Sequence, residues 1–101
     1  MGYIYNLIEK ATDTNLNLEN NKIGNYRITP QHGNYVAQYF VYKDKCKPHY
    51  GEQLVVDIQI YENKIIAKID VEHLKPFEWH QIQDVLNNLY DGFDIDLKNM
   101  Y

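Results

Sequence analysis

The first apolar positions of the chain recur every three or four residues. This spacing predicts a short amphipathic helix over residues 2–12. The positions that form its apolar face are Ile4, Leu7, Ile8 and Ala11. The Asn-rich segment that follows has no sustained period, which predicts a loop.

The next two apolar segments have the character of strands. Residues 22–29 predict a strand with Tyr26 and Ile28 on one face, and residues 30–34, which contain Pro and Gly, predict a turn. The aromatic and β-branched run over residues 35–43 is apolar on both faces except at Gln38 and at its last residue, Lys43. Such a run is typical of a strand inside a sheet, not at its edge.

Residues 54–72 carry the clearest local pattern, that of a β-hairpin. With Glu62 and Asn63 at the turn, four apolar pairs face each other on one side. These pairs are Ile60 with Ile65, Ile58 with Ala67, Val56 with Ile69, and Leu54 with Val71. The other side sets Asp57 opposite Lys68. Because a slip of one residue would place an isoleucine opposite a lysine, we expect this register and no other.

The last third of the chain predicts a helix and a final strand. Pro76 suits the first turn of a helix, and an apolar stripe continues to Leu89, ahead of Gly92, so we expect a helix over residues 76–91. Residues 93–97 alternate strictly between apolar residues and aspartates. This alternation predicts a short strand whose charges suit an exposed sheet edge.

These elements predict the α+β class. We expect an antiparallel four- to five-stranded sheet with two helices packed on one face, in the order α-β-β-β-β-α-β. At 101 residues the chain is expected to form a single domain, 1–101. Many small α+β domains are inhibitors or immunity proteins, but a fold class alone does not indicate a function.

The composition argues against membrane and secreted classes. The longest unbroken apolar run is four residues, 39–42, whereas a membrane helix needs about 20. The first ten residues have neither the basic start nor the long apolar stretch of a secretion signal, and a lone cysteine cannot form an intramolecular disulfide. We therefore expect a cytoplasmic protein that does not contact a membrane.

The residue types also limit the catalytic chemistry. The chain contains no serine, which excludes serine-based triads, and its five glycines are never closer than nine residues, which excludes the usual phosphate-binding loops. Cys46 is the best candidate nucleophile because neighbouring lysines favour its thiolate, but His49 is the only base nearby. A structural zinc site needs more ligands than Cys46 and His49 supply. We expect neither a metal site nor a cofactor.

The second candidate for catalysis lies on the predicted C-terminal helix. His80 and Asp84 are four residues apart, with Glu78 close by, and could form a general acid–base group. The apolar stripe faces the other way, so we expect these three side chains in solvent, where an i,i+4 surface pair also accounts for them. An enzyme that uses Cys46 or His80 and Asp84 is the least favoured hypothesis, and enzymatic activity is not expected.

Alternating lysines precede the hairpin. Lys43, Lys45 and Lys47 would project from one face if the second strand continued, and tyrosines lie close to them in sequence. This patch supports an alternative hypothesis, a nucleic-acid-associated accessory protein that stacks bases on the tyrosines. A solvated loop accounts for the same residues.

The acidity of the chain belongs to its last third. Residues 70–101 contain seven acids and two lysines, a net charge of −5, whereas residues 1–69 carry +1. We therefore favour a non-enzymatic binding protein that blocks a macromolecular partner through an acidic, Tyr-containing surface, as a toxin-immunity protein or a phage or mobile-element inhibitor does. The candidate contacts are Asp84, Asp91, Asp94, Asp96 and Tyr101. The expected partner is a protein with a basic site, and a homodimer through the sheet edge or the tyrosines remains open.

Overall fold

The chain forms a six-stranded mixed sheet with two helices, which is an α+β fold. The structure is a computed structural model that describes residues 2–11, 22–31, 37–45 and 51–101. The elements in chain order are α1 (Tyr3–Ala11), β1 (Lys22–Ile23), β2 (Tyr26–Gln31), β3 (Ala37–Asp44), β4 (Glu52–Ile60), β5 (Lys64–Ile69), α2 (Pro76–Leu89) and β6 (Asp94–Asn99). The strands lie in the sheet in their chain order. The expected class is confirmed, whereas the expected strand number is too low.

The additional strand comes from a turn inside the segment predicted as one strand. Gly24 has a φ of 61°, a conformation that glycine adopts at little cost, and with Asn25 it separates β1 from β2. Pro30 and Gln31 belong to β2 and not to a turn. Pro30 is tolerated there because β1 accompanies only the first residues of β2. The rest of the predicted turn, residues 32–34, lies outside the described part of the chain.

The third strand occupies the interior position that its apolar sequence predicts. β3 pairs with β2 on one side and with β4 on the other, antiparallel to both. The register with β4 shifts after Val41, which pairs with Val56, whereas Tyr42 pairs with Leu54. Val55 is therefore the extra residue of a β-bulge, and it is fully buried.

The predicted hairpin is confirmed over most of its length. Three of the four apolar pairs form, Asp57 lies opposite Lys68, and the Tyr61 N–H donates to the Lys64 carbonyl at 2.8 Å across the turn. The pair of Leu54 with Val71 is wrong. β5 ends at Ile69, so Val71 lies beyond the ladder with β4, and it is 37% exposed.

The last two elements form within two residues of their predicted bounds, but the direction of the final strand differs from expectation. α2 begins at Pro76 as predicted and ends at Leu89, ahead of Gly92, which has a φ of 85°. β6 is an edge strand with alternating exposure, but it pairs with β5 in parallel. The expectation of a fully antiparallel sheet is therefore wrong. β6 runs parallel to β5 because α2 returns the chain to the end of the sheet where β5 begins.

One core joins both helices to a single face of the sheet. Fully buried side chains of the two helices and of alternate strand positions form it. The largest are Ile4, Leu7, Ile8, Ile28, Ile58, Ile65, Ile82 and Leu86. The helices therefore cover one face, and we call the opposite face the open face of the sheet. Among the described residues, neither helix is long and apolar enough to span a membrane.

Candidate functional site

The acidic residues singled out in the sequence are all exposed, but they occupy different parts of the molecule. Asp84 lies in the middle of α2, and Asp91 lies in the turn that follows this helix. Asp94 and Asp96 lie on β6. Tyr101, two residues beyond the end of β6, is 79% exposed.

Asp84 is on the flank of α2 that faces α1. Asn88, one turn later, donates its Nδ2–H to the Tyr5 hydroxyl at 2.6 Å, and Gln81, three residues earlier, accepts the Tyr5 N–H at 3.3 Å. Residues three and four apart share one face of a helix. Trp79, which approaches β6, lies on the other flank. Asp84 is thus separate from the acids of β6.

The outer edge of β6 has backbone groups that no described strand pairs. The Asp94 N–H donates to Asn63 at 3.1 Å and the Met100 N–H donates to Ile69 at 2.8 Å, both toward β5. In a parallel ladder every second residue bonds the same neighbour, so the residues between them point their N–H and C=O groups outward. These residues are Ile95, Leu97 and Asn99. We call this row the β6 edge.

The side chains on the helix side of the β6 edge are largely apolar. Leu97 and Asn99 line a cavity of about 150 Å³ together with Val71 and Trp79. The Trp79 Nε1–H donates to the Leu74 carbonyl at 3.0 Å, which fixes the indole in place. A strand added at the β6 edge would find apolar contacts on this side.

The open-face side of the β6 edge is charged. Asp94 and Asp96 project there, with Lys98 in the same row, and Nζ of Lys98 lies 3.5 Å from Oδ2 of Asp96. Lys64 lies opposite Asp94 in the ladder with β5. Exposed pairs of this kind contribute about 0–1 kcal/mol and exchange readily with other partners. The acidic excess is greatest near the start of β6, where Asp91 adds a further charge.

The basic patch that the sequence suggested is only partly visible. Lys43 donates from Nζ to the His73 carbonyl at 3.2 Å and lies 5.6 Å from the centroid of the Tyr26 ring. Lys45 is exposed just after β3. Lys47 lies outside the described residues, as do Cys46 and His49. Lys43 is therefore engaged within the fold.

The three side chains of the candidate acid–base group do not share one environment. His80 and Asp84 are exposed, as expected, but Glu78 is only 5% exposed. Glu78 accepts the Lys75 N–H at 3.0 Å and the hydroxyl hydrogen of Tyr26. The expectation that Glu78 lies in solvent is wrong, because this residue shares the buried face of α2 with Ile82 and Val85.

A buried aspartate organises the turn between β5 and α2. Asp70 accepts the Glu72 N–H and the Gln53 Nε2–H, each at 3.1 Å, and lies 2.8 Å from Nδ1 of His73. Nδ1 of His73 also lies 2.8 Å from Nε2 of Gln53, so the three side chains contact one another. Sequence reasoning missed this site by extending β5 to Val71. The signal available was an aspartate at a strand end, which favours a local turn.

The same turn contains the grouping closest to a metal site within the described residues. Ligand atoms of Asp70, Glu72 and His73 lie within 4.8 Å of one another. Both oxygens of Asp70 already accept hydrogen bonds, and the other two side chains are exposed. We therefore assign this cluster a structural role.

Comparison of the chain with protein families, with curated proteins and with solved structures finds no match. The function must accordingly be inferred from the geometry of the β6 edge and of the remaining surface.

Proposed function

We propose that the chain is a non-enzymatic binding protein that pairs the β6 edge with an extended, basic segment of a partner protein and so blocks that segment. One observation supports this most directly. The backbone groups of Ile95, Leu97 and Asn99 point away from β5, and no described strand pairs with them.

A strand added at the β6 edge would contact side chains on both faces of the sheet. Main-chain hydrogen bonds supply affinity, while side chains that alternate between the two faces supply specificity. On the helix side, the cavity beside Leu97 and Trp79 suits an apolar residue. On the open face, Asp94 and Asp96 suit basic residues at alternate positions. The favoured segment therefore alternates apolar and basic residues.

The distribution of charge selects an orientation along the edge. Lys98 lies 3.5 Å from Asp96. Lys64 faces Asp94 in the ladder, but no ion pair among the described residues joins these two, and Asp91 precedes Asp94 by three residues. The most basic part of the segment is expected beside Asp91 and Asp94. Exposed charges of this kind mainly raise the association rate and contribute less to the final affinity.

Blocking follows from this binding mode, because a bound segment loses access to its own backbone and to half of its side chains. Toxin-immunity proteins and phage or mobile-element inhibitors act in this general way. Nucleic-acid binding has less support, since Lys43 is engaged with the His73 carbonyl. Acid–base catalysis also has less support, since Glu78 is buried away from His80.

The binding mode can be tested with a defined probe, an acetylated octapeptide that alternates lysine and valine, and with a matched glutamate–valine peptide. In ¹⁵N NMR titrations the lysine peptide should shift the amides of β6, most of all Ile95, Leu97 and Asn99. The glutamate peptide should not. Equal shifts with both peptides, or shifts confined to other elements, would reject the proposal.

Two pairs of variants separate backbone pairing from charge. Leu97→Pro removes an outward N–H that β5 does not use, so it should abolish binding, whereas Leu97→Ala should retain most of it. Asp94→Lys with Asp96→Lys should lower the association rate about tenfold or more at low salt. Asp84→Lys, on the other flank of α2, should not.

Self-association is the competing outcome for the same edge. Antiparallel pairing of two copies centred on Leu97 would place Asp96 opposite Lys98 of the second copy. A dimer in sedimentation experiments that Lys98→Asp dissolves would assign the β6 edge to a second copy of the chain. A monomer over the concentration range of the titrations is the result that the proposal expects.

A further inference from the structure

A second concave site lies far from the β6 edge in the order of the sheet. It is a cavity of about 440 Å³ between the first turns of both helices and the start of β2. Its volume falls within the range of about 300–1,000 Å³ typical of small-molecule sites. The residues that matter for its chemistry are Tyr3, Tyr26, Phe77 and Glu78.

A buried carboxylate lines this cavity. Glu78 is 5% exposed and accepts hydrogen bonds from the Tyr26 hydroxyl and from the Lys75 N–H at 3.0 Å. Its position in the first turn of α2 places it near the positive end of the helix dipole. Burial and the adjacent Glu78 carboxylate raise the pKa of Tyr26 above its ordinary value, so the hydroxyl stays protonated and continues to donate.

Within the part of the chain that the structure describes, Glu78 has hydrogen-bond donors but no cationic partner. None of the ion pairs in the described part of the chain includes it. Lys43, which approaches the ring of Tyr26, directs its ammonium group to the His73 carbonyl. Buried charges in proteins are ordinarily paired, and two neutral donors leave lone pairs of this carboxylate unused.

The mouth of the cavity is aromatic. Tyr3 and Phe77 are each 59% exposed and belong to different helices. Large aromatic side chains at this exposure are a common feature of ligand grooves, and their ring faces attract both apolar surfaces and organic cations.

We propose that this cavity binds an organic cation, namely an amine or guanidinium group carried on an aromatic or apolar body. The cationic group donates hydrogen bonds to the free lone pairs of Glu78. The apolar body lies between Tyr3 and Phe77. The site is separate from the β6 edge, so its occupancy does not depend on the proposed function.

The probe for this proposal is 2-phenylethylamine, with 2-phenylethanol as a neutral molecule of nearly the same shape. In ¹⁵N NMR titrations the amine should shift the amides of Gly2, Tyr3, Phe77 and Glu78 with saturation at low-millimolar concentration. The alcohol should bind about tenfold more weakly, because it lacks the charge-assisted hydrogen bond to the carboxylate. Equal binding of the two probes, or shifts outside the cavity, would overturn the proposal.

Variants test the contributions of the Glu78 carboxylate and of the aromatic side chains separately. Glu78→Gln should abolish the preference for the amine over the alcohol. Because this variant loses a helix-capping carboxylate, Phe77→Ala provides a test on an exposed residue and should weaken both probes about tenfold. Tyr101→Ala removes an aromatic ring that is still more exposed and lies outside the cavity, so it should leave both affinities unchanged. An amine affinity that survives Glu78→Gln and Phe77→Ala unaltered would contradict the site.

Discussion

The hydroxyl of Tyr26 in β2 donates a hydrogen bond to the buried carboxylate of Glu78 in α2, across 52 residues of sequence. The same carboxylate accepts the backbone N–H of Lys75 through its other oxygen. One side chain therefore both caps α2 and ties its first turn to the far half of the sheet.

Replacing Tyr26 by phenylalanine should destabilise the fold, because it leaves one oxygen of a buried carboxylate without its donor. We expect a loss of about 1–3 kcal/mol in the free energy of unfolding. Urea denaturation followed by circular dichroism would measure it. Tyr3→Phe, at an exposed position, is the matched control, and an equally small change in both variants would contradict the role assigned to the Tyr26 hydroxyl.

The hairpin register predicts opposite behaviour at two adjacent isoleucines. Ile65 is fully buried against the helices, whereas Ile66 projects from the open face and is half-buried. Ile65→Ala should cost about 2–5 kcal/mol, and Ile66→Ala should cost less than half of that. Thermal or urea unfolding of the two variants checks the register, and a reversed order would show that β5 is displaced by one residue.

In the turn between β5 and α2, substitution of the buried Asp70 should destabilise the fold more than substitution of the exposed Glu72. Asp70→Ala removes the acceptor of the bonds from Gln53 and Glu72 and the contact with His73, so we expect a cost of about 2–4 kcal/mol. Glu72→Gln changes only an exposed side chain and should cost less than about 0.5 kcal/mol. Similar stabilities for the two variants would show that the buried carboxylate does not organise the turn.

Much of the fold can be predicted from the spacing of apolar residues within each segment. The rest depends on contacts between segments that are distant in sequence. The hairpin register and both helices are predictable because facing or periodic side chains settle them locally. The division of residues 22–29 depends on a single glycine with positive φ, and the bulge at Val55 depends on its pairing with β3. The direction of β6 depends on the path of α2, so alternation in sequence cannot reveal it.

The candidate sites also contain residues that the sequence predicts and residues that it does not. Exposure of Asp94 and Asp96 follows from strict alternation, so the acidic side of the β6 edge is predictable. The outward backbone groups of Leu97 and its neighbours require knowledge of the ladder with β5. Glu78 lies four residues before Ile82 and seven before Val85, so helical spacing alone places it on the buried face of α2. Its hydrogen bond with Tyr26 joins distant elements and could not be inferred from that spacing.

The ion pair between Arg27 and Glu52 on the open face predicts a pH dependence. The Arg27 guanidinium donates two hydrogen bonds of 2.8 Å to this carboxylate and holds the pKa of Glu52 below its ordinary value. A depressed folded pKa stabilises the fold above the unfolded pKa, about 4.3, and this contribution is lost as the pH falls through the folded value.

Glu52→Gln should therefore cost about 0.2–1 kcal/mol at neutral pH and progressively less as the solution is acidified below pH 4.3, roughly the unfolded value. Urea midpoints measured between neutral and acidic pH would show this convergence. Glu62→Gln, in the exposed turn of the hairpin, should show no such trend. If the difference in unfolding free energy between the unchanged protein and Glu52→Gln stayed the same in acid, its origin would not be electrostatic.

The parallel attachment of β6 also bears on the order in which the molecule assembles and opens. Strands β1 to β5 join neighbours in sequence, whereas Lys64 and Asp94, which face each other, are thirty residues apart. Closing that longer loop is entropically costlier, and β6 has one neighbour in the described sheet, so β6 should detach before β3 and β4. Hydrogen exchange should then show lower protection in β6 than in β3 and β4. A partner that adds a strand to β6 would raise that protection, because β6 would then be hydrogen-bonded on both sides.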